Sequence, residues 1–553
     1  MTRSFLDDLL VTGEAGNAKW LRATILDLAV RGRLLPDENH PGSQSESSAV
    51  DEPGQQLGQK PPFPCPAGWA WTSVRAVCLD SFYGPRFAKS EYVVSGGVPT
   101  IRTTDMTDTG DIQLDDPPLV KVPSKKLSLY RLQANDLLVT RTGSIGTMAV
   151  FPGGYLALPS AYLIRFRFSD AVDAHYVLTY LRSSLGQELM GLGTRQVAQP
   201  NLNAETIKQM PLPLPPLAEQ KRIVVKVNQL MALCDDLEVK QTKKRTLATQ
   251  ASRSALAALV DAETDDELAV AWKRIGGRFR DFVTSPDDVA LLRQACIELA
   301  MRGRVVAPSR SEGTGHDLLS QILEERRKAG RPRTSQETEA DAAVFEQPFA
   351  IPAHWTWTRW ADLVTSSEAG WSPQCATRPR GVDEWGVLKV SAVSWDRFDP
   401  DENKALLPGV KPRQECAVRV GDFLMSRANT AALVGRSVVV TEQPTRLLMS
   451  DKTVRCHFSP RVDRSFMNYY NRTDTARRHY VANASGTSDS MKNISRGAIL
   501  DLPAPLPPLA EQKRIVAKVD QLMSLLDDLE AKLRKQEDLA TRLAEALAVA
   551  VAA

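Results

Sequence analysis

The chain has 553 residues, 43% of them hydrophobic and 24% charged, with a formal net charge of +3. This is the profile of an ordinary globular protein of several domains. Its apolar runs fall short of the about 20 residues that span a bilayer, and the opening MTRSFLDDLLVTGE carries acids inside its apolar stretch, unlike a signal peptide. Seven cysteines scattered without a CxxC pair argue against a disulfide framework or a zinc site and fit reduced thiols in a cytoplasmic protein.

In chain order, residues 18–34 read as an amphipathic helix stopped near Gly32 and Pro36. Residues 37–65 form a linker, in its body rich in Ser, Gln, Gly, Pro and acids. Residues 66–210 show short alternating apolar runs, such as LLVTR and YLIRFRF, between Gly, Pro and Asp clusters, which predicts a β-rich α+β domain with one helix over 175–192. A Pro-rich stretch from 211 precedes a helix over 219–258, about 60 Å long at 1.5 Å per residue. Ile223, Val227, Leu230, Cys234 and Leu237 recur at alternating steps of four and three, the pattern of a coiled-coil seam. Residues 261–283 read as helical with Trp272 and Phe279 as packing residues, and 289–306 as another helix, closing a central helical region at 308. A polar, charged stretch from 309 to 351 reads as a second linker, 352–502 as a second β-rich domain and 503–553 as a terminal helix that keeps the same seam at Ile515, Val519, Leu522, Leu526, Leu529 and Leu533.

This order is one unit told twice. PLPLPPLAEQKRIVVKVNQLMALCDDLE begins at Pro211, and PAPLPPLAEQKRIVAKVDQLMSLLDDLE begins at Pro503; 23 of the 28 positions agree, 292 residues apart. PAGWAWT (from Pro66) and DLLVTR (from Asp136) return 286 residues later as PAHWTWT and DFLMSR, and LRATILDLAVRGR (from Leu21) returns 271 later as LRQACIELAMRGR. NLN at Asn201 pairs with NIS at Asn493. Two large repeats suit a pseudo-two-fold molecule, not a solenoid.

These motifs in this order resemble the specificity subunits of type I restriction–modification systems, over nearly the whole chain. The resemblance implies an α+β protein with two target-recognition domains separated by two long antiparallel coiled-coil helices. It implies double-stranded DNA as ligand, read at an asymmetric bipartite site, and two methyltransferase subunits plus restriction/translocase subunits as partners. Adenosylmethionine, ATP and Mg are then expected on those partners, with no cofactor, metal or catalytic residue in this chain. The alternatives are a single-chain DNA methyltransferase or nuclease, and a coiled-coil scaffold that does not bind DNA.

The two domains are mildly basic: 14 basic and 12 acidic residues over 66–210, and 21 and 16 over 352–502. The stretch RVDRSFMNYYNRTDTARR from Arg461 is locally basic with interleaved aromatics, which suits nucleic acid. Candidate DNA contacts are polar loop residues able to reach phosphates or base edges. In the first domain these are Tyr83, Arg86, Lys89, Arg102, Arg141, Thr142, Ser144, Arg195, Gln196 and Gln199. In the second they are Ser372, Gln374, Lys389, Arg427, Asn429, Lys452, Ser488, Ser490 and Lys492. Arg141 and Arg427 stand out because each follows the matching strand at the same offset. Trp69, Trp71, Trp355 and Trp357 read as core. Asp116-Pro117-Pro118-Leu119 lacks the aromatic of an amino-methyltransferase motif, and Glu402-Asn403-Lys404 reads as a polar loop, not a nuclease strand.

Overall fold

The computed structural model describes residues 17–35, 61–141, 146–191, 202–330, 347–395, 397–486 and 491–552. The chain divides into two compact units, one of residues 1–246 with 537–553, the other of residues 247–536.

The first unit opens with helix α1 (Asn17–Val30). Its Leu21, Ile25, Leu28 and Ala29 are buried. The helix ends in a Schellman turn, in which the Arg33 N–H donates to the Leu28 carbonyl (2.9 Å) and the Gly32 N–H to that of Ala29 (3.3 Å). Gly32 is left-handed (φ +70°), and a Cβ there would run into the Pro66 ring. Only glycine meets both demands at no cost, which is why AVRGR belongs with a downstream PxxW.

Strands β1 (Ala70–Ser73), β2 (Cys78–Tyr83), β3 (Tyr92–Val93), β4 (Val98–Ile101), β5 (Leu119–Val120), β6 (Leu137–Thr140), β7 (Met148–Val150), β8 (Leu158–Pro159) and β9 (Leu163–Phe168) follow. One sheet runs β2-β9-β6-β7 and a second β3-β5-β4-β8. β6 is buried throughout, with both faces covered. Leu137 and Val139 join the core with α1, while Leu138 joins a smaller core with Ile101, Phe151 and Leu163. The helix expected over 175–192 is two, α2 (Ala174–Arg182) and α3 (Ser184–Leu189), because Ser183 turns extended and caps the second through the Gly186 N–H (3.2 Å). A short helix α4 (Ala204–Lys208) is capped by Asn203, the last residue of NLN.

Strand β10 (Pro211–Leu214) pairs antiparallel with β1 alone, Trp71 opposite Pro213. Prolines are tolerated because this is a two-stranded ribbon. Pro215 and Pro216 then give way to α5 (Leu217–Val260). Ile223, Val227, Leu230 and Cys234, the first residues of its seam, are buried in the same core as α1. Arg22 of α1 reaches Asp235 and Glu238 of α5, both at 2.6 Å.

In the second unit, α6 (Asp265–Gly276) and α7 (Pro286–Met301) surround a small core of Leu256, Leu259, Ile275 and Ala295. Trp272 and Phe279, expected to pack there, are exposed; Leu268, Ala271 and Phe282 fill the contact instead. α7 ends like α1, with Gly303 at φ +74° against Pro352. Within the stretch expected as linker, Gly315–Lys328 is a helix, α8, held by a Thr314/Asp317 capping box. Its Leu318 and Ile322 are buried in the second domain's core.

Strands β11 (Thr356–Arg359), β12 (Val364–Ala369), β13 (Gly386–Leu388), β14 (Asn403–Ala405), β15 (Phe423–Ser426), β16 (Ala428–Asn429), β17 (Ser437–Val439), β18 (Leu447–Leu448) and β19 (Thr453–Phe458) precede helices α9 (Arg464–Asn471) and α10 (Asp474–Asn483). Then come β20 (Lys492–Asn493), β21 (Pro503–Leu506) and the long α11 (Leu509–Ala552). The sheets are β12-β19-β15-β17, β14-β13-β18 and the ribbons β11-β21 and β16-β20. Glu402-Asn403-Lys404, expected in a loop, runs into strand β14. Arg293 of α7 bridges Asp527 (2.6 Å) and Glu530 (3.0 Å) of α11, the repeat of the Arg22 clamp. The α+β class, with two β-rich domains and two 44-residue helices, is the one expected.

Candidate nucleic-acid interface

The two β-rich domains share one internal frame. Asp136 and Asp422, which open the matching strands, are both buried. Asp136 holds Arg167 through two bonds (2.8 and 2.7 Å) and takes the Gln133 N–H. Asp422 holds the buried Arg455 (2.9 Å) and takes the Arg419 N–H. Gln220 and Gln512 accept from the N–H of Asp173 and Asp463, each at 2.8 Å. Those aspartates cap α2 and α9, so each AEQ segment fixes the start of a domain helix. Trp69, Trp71 and Trp355 are buried, and Trp69 and Trp355 meet Tyr176 and Phe466 edge-on at 6.3 Å in both copies.

Upon that frame the exposed ends of the sheets differ. In the first domain the Arg141 guanidinium lies 4.7 Å above the Tyr83 ring, and the Tyr83 hydroxyl accepts from the Ala204 N–H (3.1 Å) at the start of α4. Gly84 follows so close to the Ser160 carbonyl that no Cβ fits, and its N–H donates to the Leu163 carbonyl (2.9 Å). Tyr83, Arg141 and the 160–162 turn are thereby gathered at one sheet end. Arg86 and Lys89 are exposed on the segment after β2. Arg102 is engaged by Asp105 (2.7 Å) and the Asp116 carbonyl (3.0 Å). The Asp105 bonds hold the Arg102 pKa above its ordinary value. Thr142, Ser144, Arg195, Gln196 and Gln199 lie outside the described residues.

In the second domain the Arg427 N–H donates to the Lys452 carbonyl (2.8 Å), and the Ile494 N–H to the Arg427 carbonyl (2.8 Å). Asn429 pairs with Lys492 across β16 and β20. The Trp371 N–H donates to the Met449 carbonyl and the Ser372 hydroxyl to Asp451. These bonds gather Ser372, Arg427, Asn429, Lys452 and Lys492 at the equivalent sheet end. Gln374 is exposed on the same segment as Ser372. Lys389 stands apart, at the end of β13, paired with Glu402 at 3.5 Å. Ser488 and Ser490 lie outside the described residues.

The basic stretch from Arg461 is largely spent on structure. Arg461 pairs with Glu325 of α8 (2.7 Å), and Arg464, Arg472 and Arg477 donate to the carbonyls of Gly421, Trp395 and Val434. Burial lowers the Arg477 pKa. Side chains tied to main-chain carbonyls hold loops in place, so charge counting overstated this face. Sequence reasoning also passed over Tyr162, which is 61% exposed at the first sheet end. Its signal was its register, since it stands where Lys452 stands in the other copy. Among the described residues no group of His, Cys, Asp and Glu could hold a metal ion.

A family model described as the type I restriction modification DNA specificity domain matches residues 75–245. The EcoEI specificity subunit of Escherichia coli is 27% identical over 581 residues, covering 96% of this chain and 93% of the relative. The chain is thus similar over nearly its whole length to type I restriction enzyme specificity subunits. The EcoAI specificity subunit of Escherichia coli is 24% identical with the same coverages. A solved chain from work on assembly and conformational transition of the type I R-M system superposes with a TM-score of 0.50 at 19% identity, covering 89% of this chain and 99% of that one; this likeness concerns fold.

Proposed function

We propose that this chain is the DNA-reading subunit of a type I restriction–modification complex, each β-rich domain reading one half of an asymmetric bipartite site. The observation that carries this is a conserved frame with divergent tips. Arg22 and Arg293 make the same clamp, and Gly32 and Gly303 the same turn, yet the sheet ends present Tyr83, Arg141 and Tyr162 in one domain and Arg427, Lys452 and Asn429 in the other. A repeated frame with unlike tips suits a site whose halves differ, as symmetric dimers suit palindromes.

The repeated helices offer near-equivalent surfaces to two copies of a methyltransferase subunit. The two 44-residue helices α5 and α11 have the length to act as spacers between two readers. Catalysis, with its adenosylmethionine, ATP and Mg, is assigned to the partner subunits.

The test is selection of bound sequences from a random duplex pool by the full chain assembled with its methyltransferase partner. Two unlike half-sites separated by a fixed gap are expected. A single uninterrupted motif overturns the proposal, and methyl transfer by the chain alone overturns the assignment of catalysis to partners.

A further inference from the structure

The central ladder of each domain ends at the same step. Thr140 pairs with Leu163 in the first domain and Ser426 with Thr453 in the second. One residue further on, the Arg141 N–H donates to the Tyr162 carbonyl (3.0 Å) and the Arg427 N–H to the Lys452 carbonyl (2.8 Å). The two arginines are therefore equivalent, but their surroundings are not. Arg141 lies over the Tyr83 ring and stands opposite a neutral aromatic. The position matching Tyr83 is Ala369, opposite Val454 as Tyr83 is opposite Ile164. Arg427 thus lacks that aromatic platform and faces a lysine.

Like charges directly opposed across strands are destabilising. Among the described residues no carboxylate pairs with Arg427 or Lys452. Asp451, the neighbouring acid, takes the Ser372 hydroxyl, and Glu368 on the adjacent strand is bound by Arg455 and His457. Lys452 is exposed and Arg427 half-buried. The register puts the two cations at directly opposed positions, where an anion between them would relieve their repulsion.

We propose that Arg427 and Lys452 form a clamp for one backbone phosphate of the DNA, present in the second reader and missing from the first, where Tyr162 occupies the lysine's position. This rests on the reading that both domains contact duplex DNA. The clamp anchors the second domain without informing on sequence, and Arg141, freed from phosphate duty by Tyr162, is left to address bases. Each phosphate neutralised lowers the slope of log affinity against log salt by about 0.9.

The experiment titrates the full chain with a fluorescent random-sequence duplex over a series of KCl concentrations, for wild type, Lys452→Gln and Tyr162→Lys. Lys452→Gln should make the slope shallower by about one phosphate's worth (about 0.9), with the sequences selected from the pool unchanged. Tyr162→Lys should make it steeper by a similar amount. In the free protein Lys452→Gln removes the like-charge pair, so its unfolding temperature should hold or rise while DNA binding weakens; a merely structural lysine would lose both. An unchanged slope in Lys452→Gln, or an altered base preference at one position, overturns the clamp. A wild-type chain whose binding is insensitive to salt overturns instead the DNA-binding reading beneath it.

Discussion

Replacing Gly303 with Ala tests the repeated turn that ties each opening helix to its domain. Gly303 sits at φ +74°, and a Cβ there would lie 2.5 Å from Pro352 Cγ, 3.0 Å from Pro352 Cδ and 3.2 Å from Trp355 Cζ2. The left-handed backbone costs a residue with a Cβ about 1–2 kcal/mol. The Pro352 ring cannot swing aside as a flexible side chain would, so forcing it away costs about another 1–3 kcal/mol, as overpacking does. The sum, about 2–5 kcal/mol, is a large share of the about 5–15 kcal/mol that holds a domain together. Gly32→Ala meets Pro66 and Trp69 in the same arrangement and should cost as much. Urea unfolding of the full chain, followed by tryptophan fluorescence, reads the loss. Hydrogen exchange should show lost protection in α7 for Gly303→Ala and in α1 for Gly32→Ala. The two losses should add in the double variant, because the turns share no partners. Wild-type unfolding midpoints in both single variants would refute the account of the AVRGR and AMRGR endings.

Further outcomes follow from other contacts. Asp422→Ala takes one of two carboxylates from the buried Arg455, which keeps Glu368, and should destabilise the second domain by about 1–3 kcal/mol, measured by the same unfolding assay. Arg141→Ala should weaken DNA binding by about 1–3 kcal/mol and relax preference at one base, while losing Tyr83 stacking costs little stability; unchanged affinity and selected sequence would reject it as a reader. Burial pushes the Cys456 thiol from 9.0 up to about 12, so iodoacetamide should label it only after unfolding. Its sign in stability is fixed too: a raised folded pKa gives stability present in full below pH 9 and lost as pH rises towards 12. Arg22→Ala and Arg293→Ala each remove an arginine clamped by two partly exposed carboxylates. Each should cost about 1–2 kcal/mol after solvent screening, less in high salt, by thermal unfolding.

Much of the fold was legible because the chain states it twice. Motifs of unclear purpose, such as NLN and NIS, proved local: Asn203 and Ser495 cap the short helices that lead into the Pro-rich strands. The candidate interface was legible only in part. Tyr83 and Arg141 are 58 positions apart, and no periodicity joins them; a cation over a ring does. Arg102 looked like its neighbours in a list of basic residues, yet Asp105 engages it.

What the sequence by itself determined is the duplicated frame: helix ends, caps, buried tryptophans and the seams of the long helices. These depend on short-range geometry and on apolar periodicity, and both are written in consecutive residues. What only the tertiary structure decided is where charge and aromatic surface are spent. Arg464, Arg472 and Arg477 went to main-chain carbonyls, Trp272 went to solvent and Leu318 to the core, and Arg427 came to face Lys452. Such outcomes turn on strand register and on which buried polar groups need a partner. Both depend on residues far apart in the chain, so no local pattern carries them.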